Sequence, residues 1–158
     1  MKNLKSIFSL IIWITACLSA GILGALTTSP NTQWFQSLNK PFFQPPNWLF
    51  GPVWTLLYIL MGIAIWLISK HGFKTKIAKQ ALYLFITQLV LNSLWSLVYF
   101  GMQKILGAFV LIIFIWIFIL LTIIWFNKIN KVAGLLLLPY ILWVSFATVL
   151  NAALWLLN

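Results

Sequence analysis

The side chains of this chain that could carry chemistry are aromatic rings, neutral amides and hydroxyls, because the sequence contains no Asp or Glu. Without carboxylates there is no carboxylate general acid or base, no carboxylate-held Ca²⁺ or Mg²⁺, and no Asp/Glu proton relay. The sequence offers 10 tryptophans instead. The functions that remain depend on stacking and on hydrogen bonds from neutral groups.

Polar and aromatic residues recur at spacings of three and four in three parts of the chain, which puts each set on one face of a helix. The three stripes are Gln88, Asn92, Trp95 or Ser96, and Tyr99; Trp143, Ala147 and Asn151; and Trp54 and Tyr58. Polar groups are costly inside a bilayer. We therefore expect all three stripes to face the interior of a helix bundle.

The elements that must position these stripes are membrane-spanning helices. The chain is 63% hydrophobic and 6% charged, with a mean hydropathy of +1.06, which cannot provide the surface of a water-soluble protein. The composition predicts an all-α integral membrane protein, a five transmembrane helix bundle formed by one domain over 1–158. The predicted helices cover about 7–26, 48–68, 77–100, 105–126 and 132–157, and a long loop that includes Pro30 covers 27–47.

Antiparallel neighbours place Trp54, Asn92, Trp95 and Asn151 in one layer beneath the long loop, with Trp143 deeper as a floor. The loop, which carries Trp34, is on the same side and could act as a lid. An aromatic pocket with a few amides is the usual form of a small-molecule site. The alternative is that the amides only join helices to one another.

The lysines predict the orientation of the chain. Lys2, Lys5, Lys70, Lys74, Lys76, Lys79, Lys128 and Lys131 fall on one side, and Lys40 and Lys104 on the other. This bias predicts a cytoplasmic N-terminus and a C-terminus outside the cell. Because the lysines lie between the apolar runs, the lipid bilayer is the expected partner of the chain and nucleic acid is not.

The first predicted helix has two competing interpretations. The first apolar run, which follows Lys2 and Lys5, also fits a signal peptide, although Gly21 and Gly24 belong to a small-residue face that favours a packed membrane helix.

The fourth predicted helix is almost purely apolar, so we expect it to face lipid or another protomer rather than a site. His71 is the only histidine, and it lies among lysines opposite the lid, so no metal site or axial ligand is expected.

Three segments resemble the TspO/MBR family, which includes the mitochondrial translocator protein and bacterial tryptophan-rich sensory proteins. They are WFQSLNKPFFQPPNWLFGPVWTLLY over 34–58, LNSLWSLVYFG over 91–101 and PYILWVSFATVLN over 139–151. The resemblance implies a five-helix fold that is commonly a homodimer, with a ligand site beneath the first loop. It implies porphyrins, such as protoporphyrin IX or haem, and benzodiazepine-type drugs as ligands, and no required cofactor.

Matched by position, the resemblance assigns ligand binding to the same stripes. The family's pocket residues fall on Trp54, Asn92, Trp95, Trp143, Ala147 and Asn151. Together with Trp34 and Tyr58 these are the predicted ligand-binding residues. The cholesterol motif that ends the fifth helix of animal members is missing here, since the stretch after Asn151 has no Tyr and no basic residue. Cholesterol is therefore not an expected partner, and the cell membrane of a bacterium is the expected location.

Three functions compete on this basis. The first is a sensory or receptor protein in which a planar ligand stacks on tryptophans while Tyr58, Asn92 and Asn151 orient its polar edge. The second is light-dependent porphyrin degradation, in which Trp54 and Trp143 are candidate redox residues, since no conventional catalytic residue is present. The third is facilitated porphyrin transport; transport coupled through carboxylates is excluded because the sequence has none.

Overall fold

The computed structural model describes residues 2–28 and 32–158, so Pro30 of the predicted loop lies outside the described residues. The helices are α1 (Lys2–Ala25), α2 (Gln33–Ser37), α3 (Asn47–Ser69), α4 (Lys76–Ser96), α5 (Ile105–Ile129), α6 (Lys131–Leu135) and α7 (Leu138–Leu157). A π-helical turn over Leu97–Gly101 continues α4.

Five segments of the described chain are long and apolar enough to cross a membrane. They are Leu4–Ala25, Asn47–Ser69, Lys76–Gly101, Ile105–Ile129 and Lys131–Leu157. This confirms the predicted all-α membrane fold with five spans. Short connections make consecutive spans antiparallel. We call the end that carries the connections at 70–75 and 130 the lysine end, and the end that carries the long connection at 26–46 the loop end.

The small-residue face of α1 packs closely on α3 and α4. A Cβ atom at Gly21 would fall within contact distance of the Tyr58 ring, so only glycine fits there without a shift. Ser93 Oγ donates a hydrogen bond to the Ala20 carbonyl over 2.9 Å. Small residues allow this close approach of helices inside a membrane, where apolar burial alone gives little preference for helix contact over lipid. The first apolar run is therefore a packed helix of the bundle.

The core has two parts. Towards the lysine end, Met61, Ile65 and Ile119 are fully buried, and Phe85 stacks on Phe126 with ring centroids 5.7 Å apart. At the loop end a second buried cluster joins the lid to the spans and consists of Phe35, Tyr99, Ala108, Leu150 and Leu154. The spans are thus fixed against each other below the loop, and the loop itself is packed onto them.

The expectation that the fourth span faces lipid or another protomer describes only one of the two faces of α5. Leu106, Val110 and Phe114 point outward, as lipid-facing residues would. The opposite face is buried, and it places Ile112 and Ile115 against the cavity described below. Since almost every residue of α5 is apolar, the sequence alone could not distinguish the two faces.

The fifth predicted helix is interrupted. The chain forms α6, turns at Leu136 and Leu137, and starts α7 again beside Pro139. Proline lacks a backbone N–H and is therefore accommodated in the first turn of a helix, where no intrahelical partner is needed. The break leaves the stripe of α7 intact, because all of its residues lie after the turn.

Candidate functional site

A cavity of about 350 Å³ lies at the loop end, among all five spans. Its volume falls in the lower part of the range of about 300–1,000 Å³ that is typical of small-molecule sites. The lining is mostly apolar and aromatic. The bundle therefore contains a cavity of the kind that the sequence pattern predicts.

The structure brings most of the predicted site residues to the wall of this cavity. These are Trp54, Tyr58, Asn92, Trp95, Trp143, Ala147 and Asn151. Trp34 does not line it; its ring meets the edge of Tyr99 at a centroid distance of 5.6 Å and an angle of 67°. The neighbouring Phe35, which is only 6% exposed, lines the cavity in its place.

The lid begins with α2, a helix of five residues whose orientation is set by its contacts. The Thr32 hydroxyl caps its start by accepting from the Phe35 N–H over 3.3 Å. Phe35 then packs on Phe100, with ring centroids 5.5 Å apart. Such a short segment has no readable periodicity, so sequence reasoning could not distinguish Trp34 from Phe35.

The rings of the wall support one another. Trp54 lies 5.6 Å from Tyr58 and 6.1 Å from Tyr140, as measured between ring centroids. Trp143 meets Phe50 at 5.8 Å and 70°. These edge and tilted contacts are the preferred arrangements of aromatic pairs. They hold the tryptophan faces in place without requiring a ligand.

Four polar side chains beneath the cavity form a continuous hydrogen-bonded chain, which we call the lower polar chain. Tyr58 donates to Asn92 Oδ1 over 3.2 Å, Asn92 Nδ2 donates to the Tyr140 hydroxyl over 2.7 Å, and Tyr140 donates to Gln88 Oε1 over 2.8 Å. All four side chains are buried. The chain joins α3, α4 and α7, and only Tyr58 and Asn92 also reach the cavity wall.

Trp95 and Asn151 are also bonded to the protein. Trp95 Nε1 lies 3.2 Å from Asn151 Oδ1 and 3.1 Å from the Ala108 carbonyl, so its N–H is shared between two acceptors. Asn151 Nδ2 donates to the Ile105 carbonyl over 3.3 Å. For this pair the interpretation as a link between helices is therefore correct, and it does not prevent their surfaces from lining the cavity.

Three buried side-chain nitrogen or oxygen atoms in the described residues have no hydrogen-bond partner. They are Gln44 Oε1, Tyr99 Oη and Trp143 Nε1. All three residues line the cavity. We call them the unpaired wall atoms. A buried polar group without a partner is rare and costs stability, so its position carries information.

The lid is fastened at its far side by two asparagines, which we call the amide clasp. The Asn39 N–H donates to Asn158 Oδ1 over 2.8 Å, and Asn158 Nδ2 donates back to the Asn39 carbonyl over 3.0 Å. Asn39 Nδ2 adds a bond to the Leu157 carbonyl over 3.2 Å. The clasp ties the loop to the last turn of α7 and keeps Phe35 over the cavity.

Lys40 belongs to the outside of the lid. Its Nζ donates to the Gln36 carbonyl over 3.3 Å and lies 5.0 Å from the centroid of the Phe35 ring. The side chain is exposed and is not part of the cavity wall. The Lys40 side chain therefore covers the outer face of the Phe35 ring, and Phe35 itself lines the cavity.

The cavity wall reaches the surface between α1 and α3. Ile22, Gly51 and Thr55 line the cavity and are also exposed, and no atom lies within 4 Å of the position of a Cβ at Gly51. Lower down the two helices close together where Gly21 meets Tyr58. We call this gap the side opening. It lies within the membrane-spanning parts of both helices.

Sequence reasoning missed some residues of the wall, and it also missed Tyr140 of the lower polar chain. Tyr140 precedes Trp143 by three positions, so the stripe of α7 could have been extended to include it. Gln44 and Phe50 carried no such signal, because the first lies in an irregular loop and the second in a uniformly apolar run. His71 is exposed at the lysine end, where Nδ1 lies 3.1 Å from the Leu67 carbonyl oxygen, and is remote from the cavity.

Comparison with known proteins matches the chain almost throughout. The model of the TspO/MBR family matches residues 13–156. The tryptophan-rich protein TspO of Chlorobaculum tepidum is 43% identical over 155 residues, which cover 98% of each chain. The protein of the same name in Archaeoglobus fulgidus is 46% identical over 97% of this chain and 99% of its own. The human translocator protein is 36% identical over 78% of this chain and 73% of its own.

Proposed function

Since the chain belongs to the TspO/MBR family and is an integral membrane protein of the TspO type, we propose that it is a tetrapyrrole-binding sensory protein. The ligand is a porphyrin such as protoporphyrin IX or haem, held in the cavity beneath the lid. The observation that carries the proposal is the wall itself, in which Trp54, Trp95 and Trp143 surround one apolar space.

Planar aromatic ligands suit this wall for energetic reasons. Each aromatic contact adds about 0.5–1.5 kcal/mol beyond the burial of area, so a large flat ring that touches several tryptophans gains more than a flexible chain of similar volume. The rings are already held by their neighbours, so little side-chain freedom is lost on binding. A preformed aromatic cavity therefore favours rigid, flat molecules.

The sequence hypothesis that Tyr58, Asn92 and Asn151 orient the ligand requires those residues to exchange bonds that they already make. Tyr58 and Asn92 belong to the lower polar chain, and Asn151 is bonded to Trp95. We propose instead that they hold the wall in shape, and that the ligand contacts their surfaces without replacing their partners. Their substitution would then act first on the stability of the bundle.

The test is a titration of protoporphyrin IX into the purified protein in the dark. Binding is followed through the porphyrin absorption band rather than through tryptophan emission, so that removing a tryptophan does not remove the signal. The variant Trp54→Leu/Trp143→Leu is compared with Trp66→Leu/Trp125→Leu. The control tryptophans lie at the lysine end, each with a lysine Nζ 4.0 Å above its ring.

We expect saturable binding to the unmodified protein and to the control, and at least a tenfold weaker affinity in the Trp54→Leu/Trp143→Leu variant. This corresponds to a loss of about 1.4 kcal/mol or more. Equal affinity in both double variants would refute the proposed cavity. Binding that never saturates in any variant would show partition of the porphyrin into detergent rather than a site.

One observation favours light-dependent degradation as a second candidate function. Trp54 contacts two tyrosines, so the cavity wall continues into a cluster of oxidisable rings. In that function the bound porphyrin absorbs light, oxygen is the oxidant, and the protein positions the ring and accepts oxidising equivalents. Product that requires light, oxygen and Trp143 supports it. The same product from free porphyrin in detergent would refute it.

A further inference from the structure

The lysine end of the bundle carries a positive charge that no acidic side chain of the protein can balance. Its lysines include Lys70, Lys76, Lys79 and Lys128, all of them exposed, and the whole sequence contains no Asp or Glu. Like charges at close range repel one another. Groups from outside the chain must therefore supply the negative charge at this end.

Two of these lysines belong to a defined cluster at the seam between α4 and α5. Lys128 Nζ lies 4.0 Å from the centroid of the Trp125 ring. Trp125 Nε1 donates to Gln80 Oε1 of α4 over 3.2 Å. Lys76 lies one helical turn before Gln80, on the same face of α4. We call these four residues, Lys76, Gln80, Trp125 and Lys128, the basic corner.

The contacts within the basic corner hold its polar groups in place. A lysine is ordinarily a flexible point charge, but the face of an indole ring attracts it, and this indole is fixed by its bond to Gln80. Because an indole N–H can only donate, Gln80 uses its oxygen for Trp125 and keeps its amide N–H groups for other partners. The corner therefore offers two cations and one neutral donor to an anion.

The basic corner lies at the level where a membrane-spanning helix meets the lipid headgroups. Lys76 is the first residue of α4, and Lys128 belongs to the last turn of α5. Tryptophans are typical of this level. Towards the middle of the membrane, the two helices carry exposed apolar side chains, among them Ile86, Leu120 and Ile124. A ligand that fits both parts has an anionic head and apolar chains.

From this arrangement we infer that the basic corner binds an anionic phospholipid, such as phosphatidylglycerol. The lipid phosphate lies between the Lys76 and Lys128 ammonium groups and accepts from the Gln80 amide, and the acyl chains follow the outer surface of α4 and α5. Basic pockets between membrane helices bind the headgroups of anionic lipids in this way. The site is at the opposite end of the bundle from the cavity, so the inference is independent of the proposed function.

A second pair of lysine and tryptophan at the same end provides a comparison. Lys70 Nζ lies 4.0 Å from the centroid of the Trp66 ring, and Trp66 Nε1 donates to the Ser6 carbonyl of α1 over 3.1 Å. The acceptor is a backbone group here, so this pair brings no side-chain amide to a phosphate. We therefore expect the pair to contribute to the general charge of the lysine end but not to hold the lipid.

The experiment is native mass spectrometry of the full chain released from detergent that contains a defined lipid. Dioleoyl phosphatidylglycerol is compared with dioleoyl phosphatidylcholine, which has the same acyl chains and no net charge. The fraction of protein that retains one lipid, measured over a range of lipid concentrations, gives the affinity. Three variants each remove two positive charges, from the corner, from elsewhere at the lysine end and from the loop end: Lys76→Gln/Lys128→Gln, Lys5→Gln/Lys70→Gln and Lys40→Gln/Lys104→Gln.

We expect the unmodified protein to bind phosphatidylglycerol at least about tenfold more tightly than phosphatidylcholine, since each lysine at headgroup level contributes roughly fivefold. Lys76→Gln/Lys128→Gln should lose about tenfold or more in phosphatidylglycerol affinity and keep its phosphatidylcholine affinity. The other two variants should stay within about twofold of the unmodified protein, because their lysines lie outside the corner. Lys76→Arg/Lys128→Arg keeps both charges and should restore binding, which a loss of folding would not allow.

Three results would overturn the inference. Equal affinity of the unmodified protein for the two lipids would show that the corner does not select an anionic headgroup. An equal loss in the corner variant and in either control variant would show that the lipid responds to total charge rather than to a site. Displacement of the bound lipid by millimolar inorganic phosphate would identify a free anion, not a lipid, as the occupant. None of these results affects the cavity or its ligand.

Discussion

The lower polar chain and the unpaired wall atoms lie in the same bundle and are built from similar residue types, but they differ in how they are satisfied. In the lower polar chain, Tyr58, Asn92, Tyr140 and Gln88 bond to one another across three helices. In the upper wall, the hydroxyl of Tyr99 and two further atoms have no partner in the described chain. The difference separates polar groups that are paired across helices from buried polar groups that have no partner in the described chain.

This difference shows that the role of a polar residue inside a membrane protein cannot be inferred from its residue type or its depth alone. Asn92 of α4 and Tyr99 of the π-helical turn belong to one predicted stripe, and both residues line the cavity. Asn92 uses its oxygen and its nitrogen within the protein, whereas Tyr99 uses its hydroxyl with no protein group. If this difference is correct, removing a paired group of the lower polar chain should destabilise the bundle more than removing one of the unpaired wall atoms. The predictions below test this.

The largest effect on stability is expected for Tyr140→Phe. The change removes one hydroxyl and leaves two buried groups, Gln88 Oε1 and Asn92 Nδ2, without their partners. We expect the free energy of unfolding to fall by about 1–3 kcal/mol, the usual cost of an unsatisfied buried polar group. Thermal unfolding of the detergent-solubilised protein measures it, with Tyr83→Phe as the exposed control. An unchanged Tm would mean that the lower polar chain does not stabilise the bundle.

Trp95→Phe is the next strongest test, since Trp95 lies in the upper wall but is paired. The variant keeps a ring against Tyr99 and removes the N–H shared by Asn151 and Ala108. Interhelical hydrogen bonds in membranes contribute about 0.6–2 kcal/mol, so we expect a loss of about 1 kcal/mol in unfolding free energy. An unchanged unfolding free energy would contradict the division, because the Trp95 N–H would then not stabilise the bundle through Asn151 and Ala108.

A smaller effect is expected for Asn158→Ala, which removes the two bonds of the amide clasp that the Asn158 side chain makes to Asn39. Both asparagines are exposed and exchange these bonds with water, so we expect a change of about 0.5 kcal/mol or less in global stability. Local opening should increase instead. Amide hydrogen exchange of the lid over 33–44 should become faster, while exchange in α5 of the same sample stays constant. Unchanged exchange at the Asn39 N–H would refute the clasp.

The smallest effect on stability is expected for Tyr99→Phe in the absence of ligand. Removing a hydroxyl that has no partner leaves no new group unsatisfied, so unfolding free energy should stay within about 0.5 kcal/mol of the unmodified protein or rise. Thermal unfolding without porphyrin is the measurement. A loss as large as that of Tyr140→Phe would show that the Tyr99 hydroxyl is bonded within the protein, and the contrast between the two regions would disappear.

The five spans could be predicted from the sequence because each is a long apolar run and water is absent from the membrane core. The ends and interruptions could not. Helix α5 continues to Ile129, beyond its purely apolar part, and the last span breaks at Leu136 and Leu137. The π-helical turn at Leu97–Gly101 depends on local backbone hydrogen bonds. Hydropathy does not register any of these features.

The site was predictable to the extent that it depends on one helix at a time. Helical spacing identified Trp54, Asn92 and Trp143 as members of inward stripes. Pairing depends on the rotation of one helix against another, so the sequence could not show that Trp95 bonds to Asn151 while Trp143 bonds to nothing. The ligand roles of these residues remain predictions. The structure adds which of their polar atoms are bonded within the protein and which are not.

The side opening affects the route and the rate by which a ligand could enter the cavity. A ligand dissolved in the bilayer meets the gap at Ile22, Gly51 and Thr55 without crossing into water. The rate of entry by this route follows the mole fraction of ligand in the lipid, whereas the affinity at equilibrium does not depend on the route. At a fixed amount of porphyrin, doubling the lipid halves that mole fraction when nearly all of the ligand is membrane-bound. Apparent affinities measured in different amounts of detergent or lipid become comparable only after this dilution is taken into account.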